Sequence, residues 1–321
     1  MTLLLSREMV APLIGPKEAL EITEILVREE VAGTVTHLPP LGGVMPGRRT
    51  ELRIVAGALH GMGRTGVRAG GLAMVTDTRS GASGGMVAIM GYPFSHLRVG
   101  ASMALGARYL ARPNAGSIGY LGSGMNALAI LQCLTVVRPI ERVEVYSPTP
   151  EHRIAFAERA TRALGIPVRA HDTPEAVISD VDIIAVGTNS PTPVLHGHQL
   201  RPGVHVTSMG LPNELDASVY VRADQFVALS REAEIEESTP STISPGREGG
   251  GELYRLLSAE KLKPSDVIEL GSLVTGQVIP RNGSGDITVY RESRGGPGDI
   301  AMANFAYERA RALGLGTEFS F

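Results

Sequence analysis

The residues whose chemistry is easiest to read stand in one short turn, Gly122-Ser123-Gly124-Met125-Asn126, followed by Ala127. Residues 116–121 before the turn are typical of an apolar strand, and apolar residues recur at helical spacing after it. In this setting Gly122 allows a tight turn, and Gly124 lets a pyrophosphate approach the N–H groups at the positive end of the helix. The spacing is a dinucleotide fingerprint with alanine as its third small residue. It predicts a nucleotide site, with an ordinary strand–turn–helix as the alternative.

The choice of nucleotide depends on the end of the next strand, which the pattern predicts at 143–147. An NAD site normally has Asp or Glu there, on the hydroxyls of the adenosine ribose. This chain has Ser147, Thr149 and Arg153 instead, and such hydroxyls with a nearby arginine suit a 2′-phosphate. Glu151 is the residue that favours NAD. We therefore expect NADP(H) to be favoured over NAD(H).

The elements that must position these residues alternate between strand and helix patterns for roughly another hundred residues. Helices are predicted at 150–164 and after Thr173, and strands at 167–170, 183–186, 204–209, 225–229 and 286–290. Residues 237–251, rich in Ser, Thr, Pro and Gly, are expected to form a loop. This order predicts an α/β fold with a Rossmann-type, doubly wound parallel sheet.

The segment before the glycine turn has a different pattern. It predicts an amphipathic helix at 16–32, strands near 51–56 and 72–76, a hairpin connection at 76–81 and a small-residue helix at 97–111. The chain then ends in a helix predicted at 301–313. At 321 residues the chain is longer than a single core usually grows, so two domains are expected, with a boundary at 112–114.

The composition of the chain limits the classes of function that it is expected to have. A formal net charge of −3 gives no reason to expect nucleic acid or an anionic membrane as a partner. The single cysteine, Cys133, excludes an internal disulfide framework and fits a reducing compartment. Because there is neither an apolar run of transmembrane length nor a recognisable signal peptide, we expect a cytoplasmic protein. No metal is expected, since His196-Gly197-His198 alone is a poor ligand set.

Several ordered stretches together resemble the ornithine cyclodeaminase/mu-crystallin family. The stretches that carry the resemblance are Leu97-Arg98-Val99-Gly100-Ala101, the glycine turn, Gly187-Thr188-Asn189-Ser190-Pro191, Pro202-Gly203-Val204, Glu214-Leu215-Asp216, Asp286-Ile287-Thr288 and Asp299. The resemblance covers nearly the whole chain. It implies a homodimer of NAD(P)-dependent subunits. In each subunit an α+β domain for substrate binding and dimerisation, residues 1–113 with 294–321, would accompany a Rossmann domain at 114–293.

The resemblance also implies site residues. The cofactor contacts would come from Gly122, Gly124, Met125, Asn126, Ser147, Thr149, Arg153, Thr188, Asn189, Ser208, Met209, Gly210 and Ser293. The family's carboxylate-binding arginine matches Arg98, and its basic residue, usually lysine, matches Arg68. A second family arginine, expected after Pro39-Pro40, is replaced by Leu41. The family's acid/base aspartate should follow Gly210, but the sequence there is Leu211-Pro212-Asn213-Glu214.

These matches and departures favour one chemistry. Arginine suits a carboxylate because its planar fork gives two parallel charge-assisted bonds. We expect Arg98 to hold the α-carboxylate of a small amino or imino acid and Arg68 to support it. Arg294 would compensate for Leu41 or bind a second carboxylate. Solvated charges are the alternative for Arg68 and Arg294.

The missing aspartate argues against cyclodeamination, which needs a proton shuttle during ring closure. Imine reduction requires fewer catalytic groups from the protein, because the cofactor supplies the hydride and an iminium carries its own proton. If an acid is needed, His96 and His37 are candidates, although each has an ordinary polar role as its alternative. We therefore expect NAD(P)H-dependent imine reduction or reversible amino-acid dehydrogenation. The alternatives are a nucleotide-binding, mu-crystallin-like protein with little catalysis and a cyclodeaminase with a substitute acid.

Overall fold

The computed structural model describes residues 1–38, 41–44, 51–79, 84–241, 248–292 and 296–320. Up to the first long buried helix it has strands and helices in the following order: β1 (Thr2–Leu5), α1 (Arg7–Val10), α2 (Pro16–Val31), β2 (Val35–His37), β3 (Leu41–Val44), β4 (Glu51–Leu59), β5 (Arg64–Ala69), β6 (Leu72–Asp77), β7 (Gly85–Gly91) and α3 (Ser95–Leu110).

Further strands and helices then follow to the end of the chain. They are β8 (Ser117–Leu121), α4 (Ala127–Val137), β9 (Arg142–Tyr146), α5 (Pro150–Leu164), β10 (Val168–Ala170), α6 (Pro174–Ile178), β11 (Ile183–Val186), β12 (His205–Ser208), α7 (Ala217–Arg222), β13 (Gln225–Ala228), α8 (Arg231–Ser238), α9 (Glu252–Ser258), β14 (Val267–Glu269), α10 (Leu270–Val274), β15 (Thr288–Arg291), α11 (Pro297–Ala312) and β16 (Thr317–Phe319).

The chain divides into two compact units, Met1–Arg98 with Arg294–Phe321 and Val99–Ser293. The structure therefore places the division inside α3, whereas the sequence predicts it at 112–114. Packing explains the difference. Gly100 lies against the backbone of Ala129, and the Ser102 hydroxyl is 2.8 Å from the Tyr290 hydroxyl. These contacts bind the body of α3 to the sheet and helices of the second unit.

The first unit is built on a largely antiparallel sheet of order β16-β1-β7-β6-β5-β4-β2, with β3 paired to β4. Side chains along its strands alternate between buried and half-buried positions, as expected when one face is covered. Helix α11 covers the buried face, where Pro297 lies against Gly57 and Ile300 against Gly66. The predicted hairpin connection at 76–81 includes residues 80 and 81, which lie outside the described residues. Strands β6 and β7 on either side of it pair antiparallel.

The second unit contains a parallel sheet of order β10-β9-β8-β11-β12-β15-β13-β14. All five residues of β8 are buried, because helices cover both faces of such a sheet. The order reverses at β8, since β9 and β10 lie on one side and β11 and β12 on the other. This confirms the predicted Rossmann-type sheet and places its ligand-binding crevice at the carboxyl ends of these strands.

Helices are more numerous around residue 240 than the sequence predicts. The loop expected at 237–251 begins after Ser238, where α8 ends, and is followed by α9. Its central residues, 242–247, lie outside the described part of the chain.

Candidate active site

In the first unit, two arginines converge on one buried carboxylate. Arg68 lies in β5 on the sheet face covered by α11, and Asp299 is the third residue of α11. The Nε of Arg68 donates to Asp299 Oδ2 at 3.0 Å, and the Nε of Arg98 lies 3.7 Å from Asp299 Oδ1. The Tyr92 hydroxyl also donates to Asp299 Oδ1, at 2.8 Å. We call these four residues, Arg68, Tyr92, Arg98 and Asp299, the arginine cluster.

The charges of the arginine cluster shift the pKa values of Asp299 and Tyr92. Burial alone would raise the pKa of Asp299, but the guanidinium groups of Arg98 and Arg68 and the Tyr92 hydroxyl bring that pKa below its ordinary value. Burial, and then Asp299, raises the pKa of Tyr92 well above that of an ordinary tyrosine. The side chains of Arg68 and Arg98 are 15% and 14% exposed, and Asp299 is almost fully buried between them.

The structure therefore brings Arg68 and Arg98 together, as the sequence predicts. It also assigns roles to two residues that the sequence pattern does not single out for this site, Tyr92 and Asp299. The only local signal at Asp299 is its place in the first turn of a helix, where an acidic residue is ordinary. Its partner Arg68 is 231 residues away in sequence, so nothing local indicates the pair.

The other residues proposed for the acid-binding site are distributed differently. Leu41, at the position of the expected second arginine, is 68% exposed in β3. His37 is paired with Glu30 at 3.0 Å on the surface, and His96 is half-buried at the start of α3. Ser293 and Arg294 lie outside the described residues, so their predicted roles stay predictions.

In the second unit, the glycine turn has the geometry that a pyrophosphate needs. Gly122 has a φ of +130°, and a Cβ there would lie 2.5 Å from the carbonyl oxygen of Gly187. At Gly124 no atom of the described residues lies within 4 Å of where a Cβ would stand. The turn leads directly into α4, a helix of 11 residues. The residues present thus fit a dinucleotide phosphate, because the backbone is open at Gly124 and a helix N-terminus follows.

The end of β9, where the sequence predicts the adenosine, lies beside that turn. The Ser123 hydroxyl donates to the Ser147 hydroxyl at 2.9 Å, which joins the glycine turn to β9. Arg153 is buried, donates to the Ser147 carbonyl at 3.2 Å and bonds the carboxylate of Asp172. Thr149 is exposed at the N-cap of α5. Ser147 and Arg153 are therefore held together where the sequence predicts the ribose.

The opposite side of the turn is made by the ends of β11 and β12. Thr188 and Asn189 follow β11, and Met209 and Gly210 follow Ser208, the last residue of β12. The Nδ2 of Asn126 lies 3.8 Å from the Met209 sulfur, so the glycine turn meets this side as well. Met125 is 82% exposed.

The loop that lacks the family's aspartate instead brings in a buried glutamate. Glu214 has no solvent exposure and accepts hydrogen bonds from Thr188, Ser208 and Gly210. Burial raises its pKa above the ordinary value, although Arg291 and these hydrogen bonds oppose the shift. Its side chain is occupied by the protein and is not a substitute for an exposed acid.

In the part of the chain that the structure describes, the cysteine and the other possible metal ligands do not add a reactive site. Burial raises the pKa of the Cys133 thiol to about 12, so it is not a nucleophile at neutral pH. No group of His, Cys, Asp and Glu within the described ranges could hold a metal ion. In the same ranges no helix has both the length and the apolar character needed to cross a bilayer.

Comparison with known proteins gives concordant results. A profile of the ornithine cyclodeaminase/mu-crystallin family matches residues 43–314. The Δ1-pyrroline-2-carboxylate reductase of Bacillus cereus is 31% identical over 256 residues, which cover 78% of this chain and 74% of the relative.

Two solved structures have the same fold. The Δ1-pyrroline-2-carboxylate reductase of Thermococcus litoralis, in complex with NADH and L-proline, gives a TM-score of 0.87 at 23% identity and covers 99% of this chain and 100% of that one. An archaeal alanine dehydrogenase dimer with bound NAD gives a TM-score of 0.82 at 23% identity and covers 100% of this chain and 99% of that one. Both units of the chain thus have counterparts in these structures.

Proposed function

Because the chain belongs to the ornithine cyclodeaminase/mu-crystallin family, we propose that it reduces a small imino acid with NAD(P)H or dehydrogenates the corresponding amino acid. The observation that carries the proposal is the arginine cluster, in which Arg68 and Arg98 both face Asp299. Such a cluster binds a carboxylate. The related reductase from Bacillus cereus is named for a substrate that combines a carboxylate with a C=N bond.

The residues of this chain divide the chemistry as follows. Arg98 and Arg68 bind and orient the carboxylate of the imino acid, and Asp299 fixes the direction of both guanidinium groups. The nicotinamide, when bound through the glycine turn, supplies hydride. The imine carbon accepts that hydride and the C=N π bond breaks, while the nitrogen keeps the proton that it already carries as an iminium. No aspartate is needed in the loop after Gly210 for this reaction.

The test is an assay of wild-type and Arg98→Ala proteins. Each is mixed with NADPH or NADH and with cyclic imino acids, or with ammonia and 2-oxo acids, and loss of the reduced nicotinamide absorbance is followed. We expect turnover by the wild type and a fall in kcat/KM of roughly 100-fold in Arg98→Ala, which corresponds to about 3 kcal/mol of transition-state binding. Arg79→Ala, at a surface arginine that is 64% exposed, is the control and keeps wild-type kcat/KM.

Other outcomes would contradict the proposal. Tight nucleotide binding without turnover of any imino acid would indicate a binding protein. Release of ammonia from a diamino acid without net oxidation of the cofactor would indicate a cyclodeaminase. Full kcat/KM in Arg98→Ala would remove that arginine from the site.

We further propose that NADP(H) is the favoured nucleotide. Ser147, Thr149 and Arg153 follow β9, where a 2′-phosphate would need hydroxyl and guanidinium donors. The first acidic residue after β9 is Glu151, exposed in the first turn of α5. A reductase of this kind, with a single buried cysteine, fits the reducing cytoplasm.

We also propose that the protein is a homodimer formed through the sheet of the first unit. The face of that sheet opposite α11 carries a row of half-buried apolar side chains in register across five strands: Leu4, Ile89, Met74, Val67 and Ala56. Next to the row, Leu72 is 46% exposed and Met86 is 38% exposed. An apolar face of this kind fits a second copy of the same chain.

A further inference from the structure

The buried carboxylate of Glu214 joins two loops of the second unit. Its Oε2 accepts from the backbone N–H of Thr188 at 3.1 Å and from the Thr188 hydroxyl at 3.0 Å. Its Oε1 accepts from the Gly210 N–H at 2.6 Å and from the Ser208 hydroxyl. Both oxygens of one side chain are therefore used to hold the segment after β11 against the segment after β12.

These two loops lie on a definite side of the nucleotide fold. The sheet order reverses at β8, whose turn receives the pyrophosphate, and β9 on one side of β8 leads to the adenosine residues. A dinucleotide bound across such a reversal places its other half over the strands on the other side. Those strands are β11 and β12, so the Thr188 and Gly210 loops flank the nicotinamide half.

The hydrogen-bond chemistry at Glu214 requires a carboxylate. Thr188 and Gly210 contribute backbone N–H donors, and the two hydroxyls at Thr188 and Ser208 also donate. Arg291 adds a further donor, its Nη1, 3.4 Å from Glu214 Oε1. A carboxylate accepts all of these, whereas the amide of glutamine would turn an NH2 group toward one set of donors. Replacing Glu by Gln therefore breaks one of the two loop attachments with almost no change in volume.

We propose that Glu214 is a positioning residue whose carboxylate holds the Thr188 and Gly210 loops in the shape that receives the nicotinamide half of the cofactor. The inference rests on the proposed function, because it assumes that a nicotinamide dinucleotide binds at the glycine turn. It adds to that function a residue that touches neither substrate nor cofactor and acts through the loops.

The chain provides a matched control in Glu234. This glutamate is also buried and accepts from Arg291 Nε at 3.0 Å, on the side of the guanidinium away from Glu214. Within the described part of the chain its Oε2 has no hydrogen-bond partner, and it bonds neither loop. Glu234→Gln thus removes a buried charge of the same type while keeping the acceptor that Arg291 uses.

The experiment compares whole and truncated cofactor. Wild-type, Glu214→Gln and Glu234→Gln proteins are titrated calorimetrically with NADP+, and with 2′-phospho-ADP-ribose, which lacks the nicotinamide; the NAD+ and ADP-ribose pair is run in parallel. We expect Glu214→Gln to bind the truncated compounds within about twofold of wild type and the whole dinucleotide roughly tenfold more weakly. Glu234→Gln is expected to bind the whole dinucleotide and the truncated compound as tightly as the wild type does. Glu214→Asp, which keeps the charge but is one methylene too short to bond both loops, is expected to show the same selective loss at about threefold, and it stands in if Glu214→Gln does not fold.

The outcomes separate the two proposals. If Glu214→Gln weakened the binding of the whole dinucleotide and of the truncated compound equally, the residue would have a general structural role and the inference would be overturned. Unchanged binding of both would overturn it as well. A wild-type protein that bound neither compound would instead overturn the proposed function on which the inference rests.

Discussion

In our proposal the binding of the acid depends on Asp299, although this residue contacts no substrate. Its two oxygens divide their bonds between Arg68 on one side and Tyr92 with Arg98 on the other. Without a shared carboxylate, two neighbouring guanidinium groups would repel each other and adopt many rotamers. The aspartate therefore fixes the geometry of both guanidinium groups.

Asp299→Asn tests this role. Asparagine has one acceptor oxygen, so it cannot serve both Arg68 and Tyr92, and it removes the negative charge that faces the two arginines. We expect KM for the imino acid to rise about 10-fold or more, since a lost charge-assisted hydrogen bond is worth about 1.5–3 kcal/mol. Asp77→Asn, which loosens Arg64 in the same unit, is the control and keeps the wild-type KM. An unchanged KM in Asp299→Asn would contradict the role.

Arg153 offers a second test at the same scale. If its guanidinium binds a 2′-phosphate, Arg153→Ala weakens NADPH about tenfold more than NADH. Asp172→Asn has the opposite expected effect, because it removes the carboxylate that now bonds Arg153 and would repel a phosphate. The measurement is the dissociation constant of each nucleotide for the wild type and the two variants, followed by the fluorescence of the reduced nicotinamide. Equal weakening of NADPH and NADH by Arg153→Ala would contradict the NADP(H) preference.

At the scale of elements, the position of α11 determines where Asp299 lies. The helix begins at Pro297, and a Cβ at Gly57 would lie 2.8 Å from the Cγ of that proline. The close approach of helix and sheet therefore depends on the missing side chain at this glycine of β4.

Gly57→Ala is expected to push the start of α11 away from the sheet. We expect a loss of about 1–3 kcal/mol in the free energy of unfolding, typical of overpacking, together with a raised KM because Asp299 moves with the helix. Urea unfolding and steady-state kinetics measure the two effects. Gly85→Ala is the control, since no described atom lies within 4 Å of a Cβ there. If Gly57→Ala left both the free energy of unfolding and KM unchanged, the close approach of α11 to the sheet would not depend on this glycine.

Elements that the sequence predicts well are those defined by their own residues. The turn at Gly122 and the apolar period of α4 are local, so the amino-acid pattern alone is enough to predict the Rossmann-type sheet. Strand β16 escapes prediction because it has three exposed residues and pairs with β1, which is distant in sequence. The Arg68–Asp299 pair escapes prediction for a similar reason. Hydrophobic periodicity reports which face of an element is buried and carries no information on which distant charge it meets.

At the scale of the whole molecule, the open apolar face of the first sheet predicts an assembly. Met74→Lys places a charge in the middle of the row that we assign to the dimer. We expect the wild type to have twice the mass of one chain by size-exclusion chromatography with light scattering, and Met74→Lys to have the mass of one chain. Val221→Lys, at a 60% exposed position of α7, is the control and stays dimeric. A monomeric wild type would contradict the assignment.

The stability of the molecule is also expected to depend on pH through His205. This histidine is buried in β12 with its Nδ1 2.9 Å from the Thr288 hydroxyl, and burial together with Arg281 and Arg138 lowers its pKa to about 3. Since the unfolded chain binds a proton there below the ordinary pKa of about 6.5, folding loses stability as the pH falls from that value toward 3.

His205→Asn is expected to remove this loss, because an asparagine amide can donate to Thr288 and does not titrate. The free energy of unfolding of the wild type should therefore fall more steeply between pH 6 and pH 4, by about 1.4 kcal/mol per pH unit more than that of the variant. Parallel urea titrations across this range measure the difference. Identical slopes would contradict the role of His205.

The pairing of β1 with β16 has a consequence for how the polypeptide is made. Thr2 lies opposite Phe319, so β1 gains this neighbour in the sheet only after all the intervening residues have left the ribosome. The nucleotide-binding unit, Val99–Ser293, is encoded by one uninterrupted stretch and can fold while synthesis continues. The strands of the first unit receive α11 and β16 last, so Arg68 and Arg98 acquire their carboxylate partner only after the second unit has been synthesised.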